Sequence, residues 1–109
     1  MKKIYRLKKN WDFQEIISKN NYLHNKYIVL YYKKSNSFKM GITIPKKFEN
    51  AVGRNFNKRQ LKAIINNLDL YDLNYDFVII ARKDFCISPF SIKKVEIEKL
   101  FERFRKNEK

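Results

Sequence analysis

The chain reads as an α+β fold: a sandwich of helices on a mostly antiparallel central sheet, in the order α-β-β-β-α-β-α. Three observations predict it. Apolar residues recur at helical spacing in three separate stretches. Two β-branched and aromatic runs lie between the first and second of these stretches, and a third run, almost wholly apolar, lies between the second and third. Glycine and proline number only two each in 109 residues, and no repeat or low-complexity linker divides the chain. Residues 1–109 are therefore expected to form a single domain, long enough to bury its own core.

The first helix is expected from Trp11 to Lys19. Asn10 can cap it, and Asp12 places a negative charge in the first turn, where the helix dipole favours one. Phe13, Ile16 and Ile17 fall at i, i+3, i+4 and form its apolar stripe. The segment NNYLHN then ends the helix. YIVLYY, residues 27–32, reads as a strand with Tyr27, Val29 and Tyr31 on one face and Tyr32 on the other. KKSNS is a polar turn, and FKMGITI, residues 38–44, is expected to pair antiparallel with 27–32 through it, ending at Pro45. A further short strand belongs near the N-terminus or just before Lys46.

The second helix is expected from Ala51 to Leu68, capped by Asn50. Leu61, Ile64, Ile65 and Leu68 line one side; Arg54, Asn55, Lys58, Arg59 and Lys62 cover the neighbouring arc. Phe56 lies outside both arcs. After the acidic, tyrosine-rich DLYDLNYD comes FVIIA, residues 77–81, too apolar for anything but a strand buried on both faces. Ser88 and Pro89 make a helix start, with serine as the cap and proline at the first helical position. The third helix is expected from Pro89 to Arg105, with Ile97, Leu100, Phe101 and Phe104 as its stripe.

Charge narrows the function. Lys and Arg number 25 against 11 Asp and Glu, a net charge of +14, which favours association with polyanions. Seventeen residues, 46–62, hold six of these cations (Lys46, Lys47, Arg54, Lys58, Arg59 and Lys62) and one acid, Glu49. The last four cations recur at i, i+4, i+5, i+8 and so share a helix face about 12 Å long at 1.5 Å per residue. A solvated face that serves only solubility mixes charges of both signs; this one has a single sign, which suits RNA or DNA. The N-terminal arm adds Lys2, Lys3, Arg6, Lys8 and Lys9. Aromatic residues beside cations can stack unpaired bases, although aromatics at such spacing also build cores.

Catalytic side chains are not recognisable. One cysteine (Cys86) and one histidine (His24) cannot form a disulfide or a four-ligand zinc site. Cys86 reads as a buried or half-buried filler and His24 as a turn or strand-edge residue. No phosphate-binding glycine motif or Ser-His-Asp pattern is present. Asp69, Asp72 and Asp76 could offer oxygen ligands to Mg²⁺, but aspartate is common in turns for local reasons. No apolar run approaches the roughly 18 residues of a spanning helix, and the basic N-terminus lacks a signal-peptide core. A cytoplasmic protein without a membrane partner is expected.

Three blocks, in order, resemble the protein subunit of bacterial ribonuclease P. RLKKNWDFQEII (6–17) is similar to that family's opening RLKKxxDF block. KKFENAVGRNFNKRQLK (46–62) resembles its KKxGNAVxRNxxKRxxR helix. DFVIIARKD (76–84) resembles the strand that follows. The resemblance implies a subunit of an endoribonuclease that removes the 5′ leader of precursor tRNA. The catalytic centre and most bound Mg²⁺ would lie in the RNA subunit, with no catalytic residue or metal ligand in this chain and no protein partner required. It also implies a left-handed βαβ crossover, which sequence reading alone would not suggest, since about 98% of such crossovers are right-handed. By position, Lys46, Lys47, Arg54, Asn55, Lys58, Arg59 and Lys62 would face the catalytic RNA, and Phe13, Ile17 and Tyr31 would line the cleft for the single-stranded leader. The pattern is departed from three times. Phe56 replaces the second arginine of the motif and is expected to pack on a nucleotide or a neighbouring side chain. Lys62 replaces an arginine, and Glu49 replaces a glycine. Two other readings stay open: a small basic endoribonuclease that acts alone, and a non-catalytic RNA-binding module of ribosomal type.

Overall fold

A computed structural model describes residues 6–7 and 10–107. Eight elements follow in order: α1 (Asn10–Ser18), β1 (Tyr22–His24), β2 (Ile28–Lys34), β3 (Lys39–Thr43), α2 (Ala51–Asn66), β4 (Tyr75–Ala81), α3 (Lys83–Ile87) and α4 (Phe90–Asn107). The four strands form one sheet in the order β1-β2-β4-β3. β2 is antiparallel to both β1 and β4, while β3 runs parallel to β4. β3, α2 and β4 thus form a βαβ unit of adjacent strands.

The expected hairpin between residues 27–32 and 38–44 is not formed, because β4 lies between β2 and β3. Burial explains the choice. Phe77, Val78, Ile79 and Ala81 are all at most 1% exposed, and only a central strand hides both of its faces. The polar turn is tied to the approach to β4: the Ser35 N–H donates to the Asn74 carbonyl at 2.9 Å. The remaining strand, β1, falls in NNYLHN, which had been expected only to break the first helix. It pairs Tyr22 with Tyr31 and His24 with Val29, and this places His24 on an edge strand.

The inner face of the sheet carries Ile28, Leu30, Met40, Phe77, Ile79 and Ala81. They pack with Leu61, Ile64 and Ile65 of α2 and with Ile97, Leu100, Phe101 and Phe104 of α4, so both helical stripes are buried as expected. Phe77 is the hub, with ring centroids 5.1 Å from Phe104 and 5.7 Å from Phe101. Tyr27 precedes β2 and packs with this core, away from Tyr31.

On the outer face, α1 packs across β2 and β4. Ile16 is 1% exposed there and Val78 is fully buried, and Lys33 Nζ holds the Glu15 carboxylate at 2.8 Å. The helix begins at Asn10 itself. α2 stops two residues short of Leu68, where the Asn67 N–H closes the last turn on Ile64 and Ile65. A five-residue helix, α3, was not foreseen. Ser88 belongs to its end: the hydroxyl donates back to the Asp84 carbonyl at 2.6 Å and does not cap α4 as expected.

Candidate nucleic-acid interface

The side chain of Asn50 caps α2, its Oδ1 accepting from the Gly53 N–H at 2.8 Å. That fixes the rotation of the helix from its first turn. Asn57, Leu61, Ile64 and Ile65 turn to the core. Arg54, Lys58 and Lys62 then emerge half-buried at the edge of the contact, with Asn55 and Arg59 exposed beyond them. Lys46 and Lys47, just before the helix, are exposed as well.

Among the described residues these cations have no acidic partner within ion-pair distance. The ion pairs among the described residues are Lys26–Asp84, Lys33–Glu15 and Arg105–Asp72, and none reaches α2. Burial lowers the pKa of Lys62, and the positive charges of Arg6 and Lys58 push in the same direction. The electrostatic environment of Lys62 is therefore that of one cation among others. Glu49 folds back on the first turn of α2, with its carboxylate against Gly53.

Residues 6–7 lie along the free edge of β3. Arg6 bridges to Met40 in parallel, and the Leu7 N–H donates to the Met40 carbonyl at 3.1 Å. This brings Arg6 to α2. A concavity of ≈ 140 Å³ is lined by Arg6, Lys58, Lys62, Phe13, Gly41 and Ile42 among others. The cationic face and one aromatic of the outer face therefore meet around the β3 edge. Gly41 permits this, because a methyl group at that position would collide with the Phe13 ring.

Phe13, Ile17 and Tyr31 are all half-buried, and the α1 side of the sheet carries Phe13 and Tyr31 at different places. Phe13 stands over β3. Tyr31 lies on β2, its ring centroid 5.4 Å from that of Tyr22, which in turn lies 5.9 Å from His24. Tyr22 is 44% exposed. His24 stands at a strand edge as expected; Tyr22 was missed because its segment was taken for a break, and the alternation of aromatic and apolar residues in YLH was the available signal.

A second basic concavity, ≈ 340 Å³, opens at the C-terminal ends of β3 and β4. Lys26, Lys47, Arg82 and Lys83 surround it, with Asp84 as the single acid and Phe48 and Ile80 on its wall. Its arginine and Lys83 come from ARKD, which the sequence analysis used only as a strand end.

The acidic residues of the α2–β4 segment are used separately. Asp72 takes both guanidinium nitrogens of Arg105, at 3.0 and 3.2 Å, and this lowers its pKa. Asp76 lies on β4, where burial raises its pKa. Among the described residues no group of three or more His, Cys, Asp or Glu is placed to hold a metal ion. Cys86 is half-buried, and burial raises its thiol pKa.

The profile of the family described as ribonuclease P matches residues 1–105. The chain belongs to the ribonuclease P protein family. The chain is similar to the ribonuclease P protein component of Mycoplasmopsis synoviae, with 52% identity over 110 residues covering 100% of this chain and 98% of that one. It is 51% identical to that of Mycoplasmopsis pulmonis, with the same coverage. Among solved structures, the RNase P protein of Staphylococcus aureus superposes with a TM-score of 0.83 at 31% identity, covering 90% of this chain and 93% of that one. A mutant of the S. aureus protein with defective mRNA degradation activity gives 0.85 at 30% identity, covering 94% and 90%. Ribonuclease P family proteins are part of a tRNA 5′-processing endoribonuclease whose catalytic role lies in the RNA.

Proposed function

We propose that this chain is one RNA-binding domain that docks on ribonuclease P RNA and guides the 5′ leader of precursor tRNA. The observation that carries the reading is the α2 face. Arg54, Lys58, Arg59 and Lys62 stand on one helix without an acidic partner among the described residues, beside the concavity shared with Phe13. Together with Lys46, Lys47 and Asn55 they offer charge-assisted bonds to phosphates from a rigid support. Phe13, Ile17 and Tyr31, with Tyr22 beside Tyr31, offer half-open apolar surface for unpaired leader bases. Divalent cations, Mg²⁺ among them, are assigned to the RNA, which also supplies the catalytic centre. None of the described helices is long and apolar enough to cross a membrane; a cytoplasmic site of action fits the tRNA substrate.

Reconstitution tests this. The protein is mixed with a bacterial ribonuclease P RNA at low Mg²⁺ and given precursor tRNAs with a long or a one-nucleotide leader. The protein is expected to restore 5′ processing and to favour the long leader, an advantage that Phe13→Ala or Tyr31→Ala reduces. No stimulation of the RNA would refute the reading. A second reading, cleavage by the polypeptide itself, draws on the S. aureus mutant with defective mRNA degradation activity. The protein without RNA is expected to cut neither precursor tRNA nor mRNA; cutting by the protein alone would favour that second reading.

A further inference from the structure

We infer that Phe56 is a stacking platform for an unpaired nucleobase of the RNA that docks on α2, an apolar contact in place of the motif's second cation. The inference rests on the docking reading above and adds a contact of different chemistry to it. At 100° per residue, Arg59, Val52 and Phe56 follow one another around the outward side of α2. Val52 is 77% exposed and Phe56 50% exposed. The cationic arc thus passes into an apolar strip with no acid of α2 between them; Glu49, folded against Gly53 at the first turn, lies beyond Phe56 on the side away from the cations.

The ring is held from within. Lys93 Nζ lies 5.8 Å from its centroid and 4.7 Å from that of Phe85. Lys93 is itself only 2% exposed. Its ammonium donates to Asn57 Oδ1 at 2.9 Å and also to Gln60 Oε1. The buried ammonium and its amide partners lie inward of Phe56, and half of the Phe56 surface faces solvent. An aromatic ring fixed beside phosphate-binding cations matches a nucleobase, which has a flat apolar face and a charged backbone next to it. A protein surface would have to meet the neighbouring single-sign charge as well as the ring, and polyanionic RNA is the partner with that complementarity.

Phe56→Ala, Phe56→Leu, Phe56→Trp and Phe56→Arg would be titrated against a bacterial ribonuclease P RNA over a range of salt, with melting temperatures measured alongside. The alanine and leucine variants are expected to lose affinity about tenfold with an unchanged salt slope, because stacking releases no counterions. Tryptophan should keep wild-type affinity. Arginine should steepen the slope by about 0.7–0.9. Chemical probing should show one base protected by the wild type and Phe56→Trp but reactive with Phe56→Ala. The inference is overturned if Phe56→Leu binds within twofold of wild type, or if no base follows the ring. It is equally overturned if the variants abolish self-association and leave RNA binding intact. Failure of the wild-type protein to bind or activate the RNA would instead overturn the docking reading itself.

Discussion

Gly41→Ala tests how the outer face of the sheet is assembled. The new methyl would meet the Phe13 ring, with Cε2 at 2.7 Å and Leu7 Cδ1 at 3.1 Å, whereas carbon atoms in good contact sit at about 3.5–4.0 Å. Leu7 can yield a few tenths of an ångström, but the ring has to retreat by roughly 1 Å. Phe13 is half-buried, so it can swing outward. The cost therefore belongs at the low end of overpacking, about 1–2 kcal/mol, or a fall in melting temperature of roughly 4–15 °C. The assay is a double-mutant cycle with Phe13→Ala, read by chemical denaturation. Once the ring is gone only the end of the Leu7 side chain, which can yield, still meets the methyl, so Gly41→Ala should cost less than about 0.5 kcal/mol in the Phe13→Ala background. Additivity of the two substitutions would refute the close-approach argument. The displaced ring should also weaken long-leader discrimination more than the stability loss alone accounts for.

Two pH-dependent predictions come from one buried and one half-buried charge. Burial lowers the pKa of Lys93 in the folded state, so folding disfavours its charged form; that penalty holds below the folded pKa and disappears as pH rises toward the unfolded value near 10.4. Lys93→Met removes the penalty at every pH. Its stability relative to wild type should be most favourable at neutral pH and decline by pH 10.5, and a difference independent of pH would contradict the assignment. Asp76 has the opposite shift. Burial raises its pKa, and one carboxylate oxygen has no hydrogen-bond partner among the described residues. Its favourable contribution is complete below about pH 3.9 and is lost as pH rises through the raised folded pKa. Asp76→Asn should therefore be more stable than wild type at pH 7 and lose that advantage in calorimetry near pH 3.5. Equal stability of the two proteins at pH 7 would count against it.

The helices were legible because their stripes are local. Leu61, Ile64, Ile65, Ile97, Leu100, Phe101 and Phe104 fall at helical spacing and are all buried. The same regularity located the cationic arc of α2, since a core stripe and a cap fix the rotation of everything else on a helix. Strand neighbours were less legible. Adjacency in sequence suggested the β2–β3 hairpin, but the order is set by competition for the central slot, and FVIIA wins it by burying both faces. Short elements such as β1 and α3 carry too few residues for a period to show. The Gly41–Phe13 approach and the seating of Lys93 join residues distant in sequence, and no spacing rule reports such contacts. In the sequence Phe56 lay outside both arcs and departed from the motif, with packing on a nucleotide or a neighbouring side chain expected. The structure adds that it is half-open and braced from behind.

The most direct measurement compares wild type with an Arg54→Ala, Lys58→Ala, Arg59→Ala triple variant in binding to ribonuclease P RNA over 50–400 mM salt. Arg59 is exposed and Arg54 and Lys58 are half-buried at the rim of the core contact, outside the buried stripe, so the variant should keep its fold, checked by an unchanged circular dichroism spectrum. If they grip phosphates, the affinity falls and the slope of log K against log salt becomes shallower by about 2–3, near one unit per lost contact. Wild-type affinity with a wild-type slope would mean that the RNA sits elsewhere, and the α2 face would no longer be the interface.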